Sequence, residues 1–317
     1  MKKIEIVSRD RLEHQLAEHL RRAELPDHFM YLGASGAARW LRLAESPRFD
    51  IAARLEDLLG RHVEDFASGL HACCDVVSLG AGSGRKERLI LDALVERGGR
   101  PRYFPIDVSA ELVDMALAAA ADVAWGGCGL VAPVEVLSGF AGKYFGTPML
   151  LCMLGNSFCN HEPDWLLPLL RAQLGPEDHL LLDFHLVPED HEAAEAEVMP
   201  RYNCQMNRDF NLGPLVERGL SPEACDFFME VVPSAGLGWR TRKAILIKEK
   251  ARVRCGSEVV VLEAGTELRL GFTYKYVASA VEELVARHGL EVRSRAASED
   301  AAFALLLLRV ADRGGNS

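Results

Sequence analysis

The 317-residue sequence predicts an α/β fold in which a mostly parallel sheet is covered on both faces. Two observations predict it. From about residue 60 to 190, short apolar runs alternate with stretches of helical periodicity. One of those runs, Asp75–Leu79, ends in a glycine turn that opens a helix. Hydrophobic residues make up 49% of the chain, enough to bury a sizeable core. The formal charge of −10 argues against a nucleic-acid partner, because phosphate-backbone binders concentrate Lys and Arg. The eight cysteines show no C-x-x-C pair and no metal-ligand spacing, so no metal is expected. They read as reduced, mostly buried thiols, which favours the cytoplasm. Met1-Lys2-Lys3-Ile4-Glu5 lacks a signal-peptide run, and no apolar stretch approaches the roughly 18 residues of a membrane span. No membrane partner is expected.

Residues 1 to about 60 read as helical and amphipathic, with Leu12, Leu16 and Leu20 at four-residue spacing. The segment Tyr31-Leu32-Gly33-Ala34-Ser35-Gly36 reads either as a lid over a ligand or as an ordinary helix connection. Strands are then expected at Asp75–Leu79, Arg102–Ile106, Val134–Leu137, Pro148–Leu154 and His179–Val187, with helices between them. Pro163 suits the first turn of the helix from Pro163 to Leu174. From about 190 to 274 the rhythm changes to an acidic helix followed by hairpin strands at Arg242–Lys250, Glu258–Leu262 and Glu267–Leu270. Helix Val277–His288 and strands Leu290–Ser294 and Ala302–Val310 return the chain to the first sheet, and Arg313–Ser317 is expected to be disordered.

The candidate site is Leu79-Gly80-Ala81-Gly82-Ser83-Gly84-Arg85-Lys86. Glycines at alternate positions allow positive φ and close backbone approach, which suits a nucleoside carrying a compact amino-acid tail. The spacing is G-x-G-x-G, and without a ligand it is also a tight strand-to-helix turn. Asp107 ends the second strand, where an acid grips ribose hydroxyls in nucleoside-binding folds. Its alternative use is to cap the helix from Ala110, a task that Ser109 can also perform.

Tyr31–Gly36, Leu79–Lys86, Pro105–Ser109, Leu154–Asn160, Phe210–Arg218 and Thr273–Tyr276 together resemble the histidine-specific, S-adenosylmethionine-dependent N-methyltransferases of ergothioneine biosynthesis. Leu154-Gly155-Asn156-Ser157-Phe158-Cys159-Asn160 is similar to that family's L-G-S-T-x-G-N. Phe210-Asn211-Leu212 is similar to its F-N-x-N, and Lys275-Tyr276 to its K-Y/F ending. The resemblance implies a Rossmann-like class I methyltransferase sheet with an additional substrate lobe made of the N-terminal helices and an α+β insertion. It divides the chain into 1–60 and 191–274 for the lobe, and 61–190 with 275–317 for the cofactor domain. It also implies S-adenosyl-L-methionine as cofactor, held by Gly80, Gly82, Gly84, Lys86, Asp107 and Phe140. A small amino acid or amine is the implied substrate, with Asn160 holding its amino and carboxylate ends. Tyr31, Tyr202 and Phe210 would line the pocket, with Gly271 and Thr273 at the acceptor end.

The departures narrow the substrate. The acid and serine with which the family reads an imidazole correspond here to Gly271 and Thr273, so histidine is not the expected acceptor. The family's G-D-F becomes Ser138-Gly139-Phe140, and the acid of its L-G-x-D-L strand end becomes His185. His185 is therefore the candidate base for taking the amine's proton, the other use being a hydrogen-bonded wall residue. Methyl transfer from a sulfonium needs no metal and no covalent intermediate, only alignment of the reactants. A second reading transfers or cyclises the aminocarboxypropyl group, since a sulfonium has more than one electrophilic carbon. A third is a non-catalytic cofactor-binding protein, to which Gly139 in place of the adenine-binding acid gives some weight.

Overall fold

The computed structural model describes residues 1–140 and 142–311, so the tail Arg313–Ser317 lies outside the described residues. Its centre is an eight-stranded sheet. The order is Lys2–Glu5, Cys128–Val131, Arg102–Asp107, Asp75–Leu79, Met149–Met153, His179–His185, Phe303–Val310 and Leu290–Ala297. All neighbours are parallel except Phe303–Val310, which runs antiparallel to both strands beside it. Every residue of Asp75–Leu79 is buried, as expected where helices cover both faces. Alternation divides its side chains: Val76 joins the apolar cluster on one face, Val77 and Leu79 the cluster on the other. From Asp75–Leu79 the next two strands build outward on one side, and Met149–Met153 starts the other. That reversal opens a crevice at the strand tips, where α/β sheets bind ligands.

Two strands of the main sheet differ from the sequence reading. Lys2–Glu5, within the segment expected to be helical, is an edge strand paired in parallel with Cys128–Val131, a pairing across the sheet that local periodicity does not announce. Val134–Leu137, expected as a strand, lies in a 3-10 turn after Pro133, and the strand is the preceding Cys128–Val131.

A second, four-stranded sheet runs Glu24–Leu25, Glu267–Tyr276, Gly238–Ile247, Cys225–Ser234. Its two-residue edge strand ties the N-terminal segment to the insertion, with Glu24 opposite Arg269 and Leu25 opposite Leu270. Glu267–Tyr276 is longer than expected, and its far end reaches the main sheet through a bridge from Tyr276 to Leu186. The strand's register shifts between Arg269 and Phe272, a bulge that presents Gly271 to the space between the two sheets.

Candidate active site

A cavity of about 1130 Å³ lies between the strand tips and the second sheet. It is lined by Leu79, Gly80, Gly82, Asp107, Met153, Leu154 and Gly155 on one side and by Asp27, Tyr31, Asn160 and Gly271 on the other. A volume just above the usual range of small-molecule sites suits two reactants side by side.

The three glycines all have positive φ but do different work. A Cβ on Gly80 would come within 2.9 Å of Ser157 Oγ, so this glycine lets the two facing turns approach. A Cβ on Gly84 would sit 2.7 Å from Ala116 Cα, so Gly84 seats helix Arg85–Glu96 against helix Ala110–Ala119 and does not reach the cavity wall. A Cβ on Gly82 would meet nothing nearer than Trp40 Nε1 at 3.9 Å, so its bare backbone faces the cavity. Behind the turn, Ser78 donates to the buried Glu87 at 2.7 Å, tying strand to helix.

Asp107 holds this turn. Its carboxylate accepts from Gly82 N–H at 3.1 Å and from Ser109 N–H at 2.9 Å. Ser109 caps the helix from Ala110, accepting from Leu112 N–H at 3.4 Å, so Asp107 is free of that task. Each carboxylate oxygen keeps a lone pair for a further donor. Burial pushes the acid up to about 6, against the opposing pull of its backbone hydrogen bonds. Lys86 also lines the cavity, its Nζ 3.0 Å from where a Gly155 Cβ would stand.

The facing turn, Gly155–Asn156, is held by a residue the sequence reading passed over. Buried Asp183 accepts from the N–H groups of Gly155 and Asn156, the latter at 2.8 Å. Burial raises Asp183 to about 6 as well. The strand thus carries its acid at Asp183, two positions before His185 and on the same face.

His185 itself is sealed in the interior. It is fully buried, stacked on Phe303 at 4.8 Å, neither ring nitrogen has a hydrogen-bond partner, and it is not among the cavity-lining residues. Burial drives its pKa well below the ordinary histidine value. It therefore cannot exchange a proton with an acceptor in the cavity. Phe140 likewise packs in the core beside Tyr144 and not on the cavity wall. Tyr202 lies behind the wall, where its hydroxyl accepts from buried Lys275 at 2.9 Å. Burial lowers Lys275 to about 7. Thr273 is buried and accepts from Asn156 Nδ2 at 3.0 Å, so its hydroxyl is used within the protein. Phe210 supports the wall from beneath, with ring centroids 5.1 Å from Tyr31 and 5.7 Å from Trp40.

The cavity does bring together Tyr31, Asn160, Gly271, Gly80, Gly82, Lys86 and Asp107. It adds Trp40, Asp27, His28 and His161, which sequence reasoning missed or set aside. Burial lowers His28 and His161 to about 4 each, so both are neutral near pH 7. The electron-rich faces of Tyr31 and Trp40 suit a cation such as a sulfonium.

Residues 9–310 match the family model described as histidine-specific methyltransferase, SAM-dependent. The chain belongs to that family. It is an S-adenosylmethionine-dependent methyltransferase with the class I α/β fold. A histidine N-alpha-methyltransferase of Mycobacterium tuberculosis (strain CDC 1551 / Oshkosh) is 29% identical over 227 residues, covering 68% of each chain. Among solved structures, the CcbJ methyltransferase from Streptomyces caelestis is 15% identical, with 80% of this chain and 96% of that one covered, at a TM-score of 0.42. Magnesium protoporphyrin IX methyltransferase from Synechocystis PCC 6803 is 12% identical, with 88% and 96% covered, at 0.44. The family's cofactor fits the cavity: Gly82 leaves open the volume a side chain would fill, and Asp107 keeps accepting capacity beside it. The family implies a small-molecule amino-acid substrate. Among the described residues no helix is long and apolar enough to cross a membrane, and no group of three or more His, Cys, Asp or Glu is placed to hold a metal.

Proposed function

We propose that the enzyme methylates the nitrogen of a free amino acid or related small amine other than histidine. The observation that carries this is the acceptor end of the cavity. Gly271 has no side chain there, and the Thr273 hydroxyl is already bonded to Asn156, so the pair that would read an imidazole is not offered to a ligand. Asn160 remains on the wall, where an amide can hold an amino acid's amino and carboxylate groups.

S-adenosylmethionine, when bound, supplies a methyl group already activated on sulfur. The chain's own residues then bind and align. The lone pairs left on Asp107 receive the ribose hydroxyls, and the open face of Gly82 lets the backbone approach. Tyr31 and Trp40 put aromatic rings on the wall within reach of the positive charge. Near-attack alignment of two bound reactants can supply about 7–11 kcal/mol. The acceptor's ammonium must lose a proton before attack. His185 is buried away and burial lowers His161 and His28 to about 4, so no imidazole here is basic enough to hold that proton; the ammonium releases it to water as the site desolvates the amine. The described cysteines are all unpaired, in keeping with a reducing, cytoplasmic setting.

Mass spectrometry of the enzyme incubated with S-adenosylmethionine and a panel of amino acids and amines tests the proposal. A methylated amine with S-adenosylhomocysteine as by-product is expected. Histidine as the best acceptor, or methylthioadenosine as the by-product, would overturn it.

A further inference from the structure

Asp27 stands at the acceptor end of the cavity, just past the two-residue strand that pairs with Arg269 and Leu270. A Cβ built on Gly271 would overlap its carboxyl group. The bare glycine and the acid thus fit each other: the space a side chain would claim at 271 holds the carboxylate of residue 27. Lys243 fixes it from behind, donating to Oδ1 at 2.8 Å and Oδ2 at 3.0 Å. The pair is largely buried, with side-chain exposures of 16% for Asp27 and 9% for Lys243, and only Asp27 lines the cavity. Each carboxylate oxygen accepts one bond from Lys243 and retains capacity for another donor. An aspartate drawn back onto the Gly271 backbone leaves the pocket deeper than a long acid projecting from 271 would.

The surroundings favour a cation. The neighbouring imidazoles of His28 and His161 add no positive charge. Asp27 is paired with Lys243, and Glu24, Asp50, Glu56 and Asp57 with arginines, which leaves Glu45, Asp107 and Glu135 on the wall without an ion pair among the described residues, against Lys86. Such a field raises the local concentration of positive ligands.

We infer that Asp27, held by Lys243 and given room by Gly271, reads a cationic N–H group at the far end of the acceptor, so that the substrate is an amino acid with a long basic side chain. This rests on the proposed methyl transfer to a free amino acid and adds the class of side chain. Asp27 acts here as a specificity-determining residue, distant from the reacting nitrogen.

Calorimetric titration of the enzyme saturated with S-adenosylhomocysteine tests it without requiring turnover. Lysine and arginine are compared with norleucine, which has a similar chain and no cation. Wild type is expected to bind a basic amino acid at least about tenfold more tightly than norleucine, the weaker end of a charged hydrogen bond's contribution. Asp27→Asn keeps the shape and removes the charge. It is expected to shrink the ratio to within about threefold while leaving S-adenosylhomocysteine affinity unchanged, which also reports that the variant is folded. Gly271→Ala, which displaces the carboxylate without altering it, is expected to shrink the ratio in the same way. Equal binding of norleucine and lysine by wild type, or a ratio unmoved in Asp27→Asn, would overturn the inference. Basic amino acids that bind through Asp27 yet receive no methyl would overturn the proposed reaction and leave the inference standing. Methylation of neutral amino acids with no Asp27 dependence would do the reverse.

Discussion

Replacing Asp107 by Asn separates the acid's two duties. In the wild type the carboxylate accepts from Gly82 N–H at 3.1 Å and Ser109 N–H at 2.9 Å. An amide has one accepting oxygen, so one of these N–H groups loses its partner, at about 1–3 kcal/mol. Burial opposes that loss. A carboxyl raised from 3.8 to about 6 is disfavoured in its ionised form by roughly 3 kcal/mol at neutral pH, and a neutral amide escapes this. The two effects nearly cancel, and unfolding free energy is expected to change by no more than about 2 kcal/mol. Cofactor binding has no such compensation. Losing a charged acceptor for the ribose hydroxyls removes about 1.5–3 kcal/mol, or roughly tenfold to 150-fold in Kd. Titration with S-adenosylhomocysteine beside denaturant unfolding of both proteins reads each effect. A variant whose cofactor affinity is unchanged while its stability falls would refute the reasoning, leaving Asp107 as a clamp for the turn alone.

The same acid sets a pH dependence. Its folded pKa lies above the unfolded value, so the unliganded protein gains stability from Asp107 as pH falls through about 6, a gain complete below about 4. Cofactor hydroxyls favour the ionised form, so S-adenosylhomocysteine affinity is expected to weaken as pH falls below about 6, and Asp107→Asn should lack this phase. Denaturant unfolding between about pH 7 and 4 checks the first, and cofactor titration of both proteins between about pH 5 and 8 the second. Asn160→Ala is expected to raise the KM for the acceptor with little change in cofactor affinity, since Asn160 lines the acceptor side; steady-state kinetics with a separate cofactor titration would reveal equal damage to both if it is misplaced. His185→Leu should retain activity and lose no stability, because it replaces a buried ring whose two nitrogens are unpartnered. A fall of 100-fold or so in kcat with the fold intact would restore His185 to the chemistry.

The strand-tip half of the candidate site was legible because its signals are local. Gly80, Gly82, Gly84 and Asp107 lie at the ends of two adjacent strands, where a glycine turn and an acid are readable from short stretches of sequence. Even so, the sequence could not separate their tasks. Gly84 packs on Ala116 of a helix 26 or more residues downstream, Ala110–Ala119, while Gly82 meets only Trp40 of the N-terminal segment and faces the cavity. The acceptor half depends on contacts between distant segments. Asp27 meets Gly271 only because Glu24–Leu25 adds an edge strand beside Arg269 and Leu270, and a two-residue strand has no periodicity to read. His185 was misjudged for a related reason. A strand's carboxyl end places a residue near the ligand, but Phe303 of the antiparallel neighbour covers it. Tyr202 and Phe210 fell short in a softer way: both support the wall from the second layer, a depth that aromatic character does not encode.

The most direct test is a crystal structure of the enzyme with S-adenosylhomocysteine bound. The nucleoside is expected across the tips of Asp75–Leu79 and Arg102–Asp107, its ribose hydroxyls on the Asp107 carboxylate and its amino-acid tail against Gly82, with the sulfur facing Asn160. A nucleoside bound elsewhere, or an Asp107 carboxylate with no contact to it, would contradict the assignment on which the chemistry and the acceptor site depend.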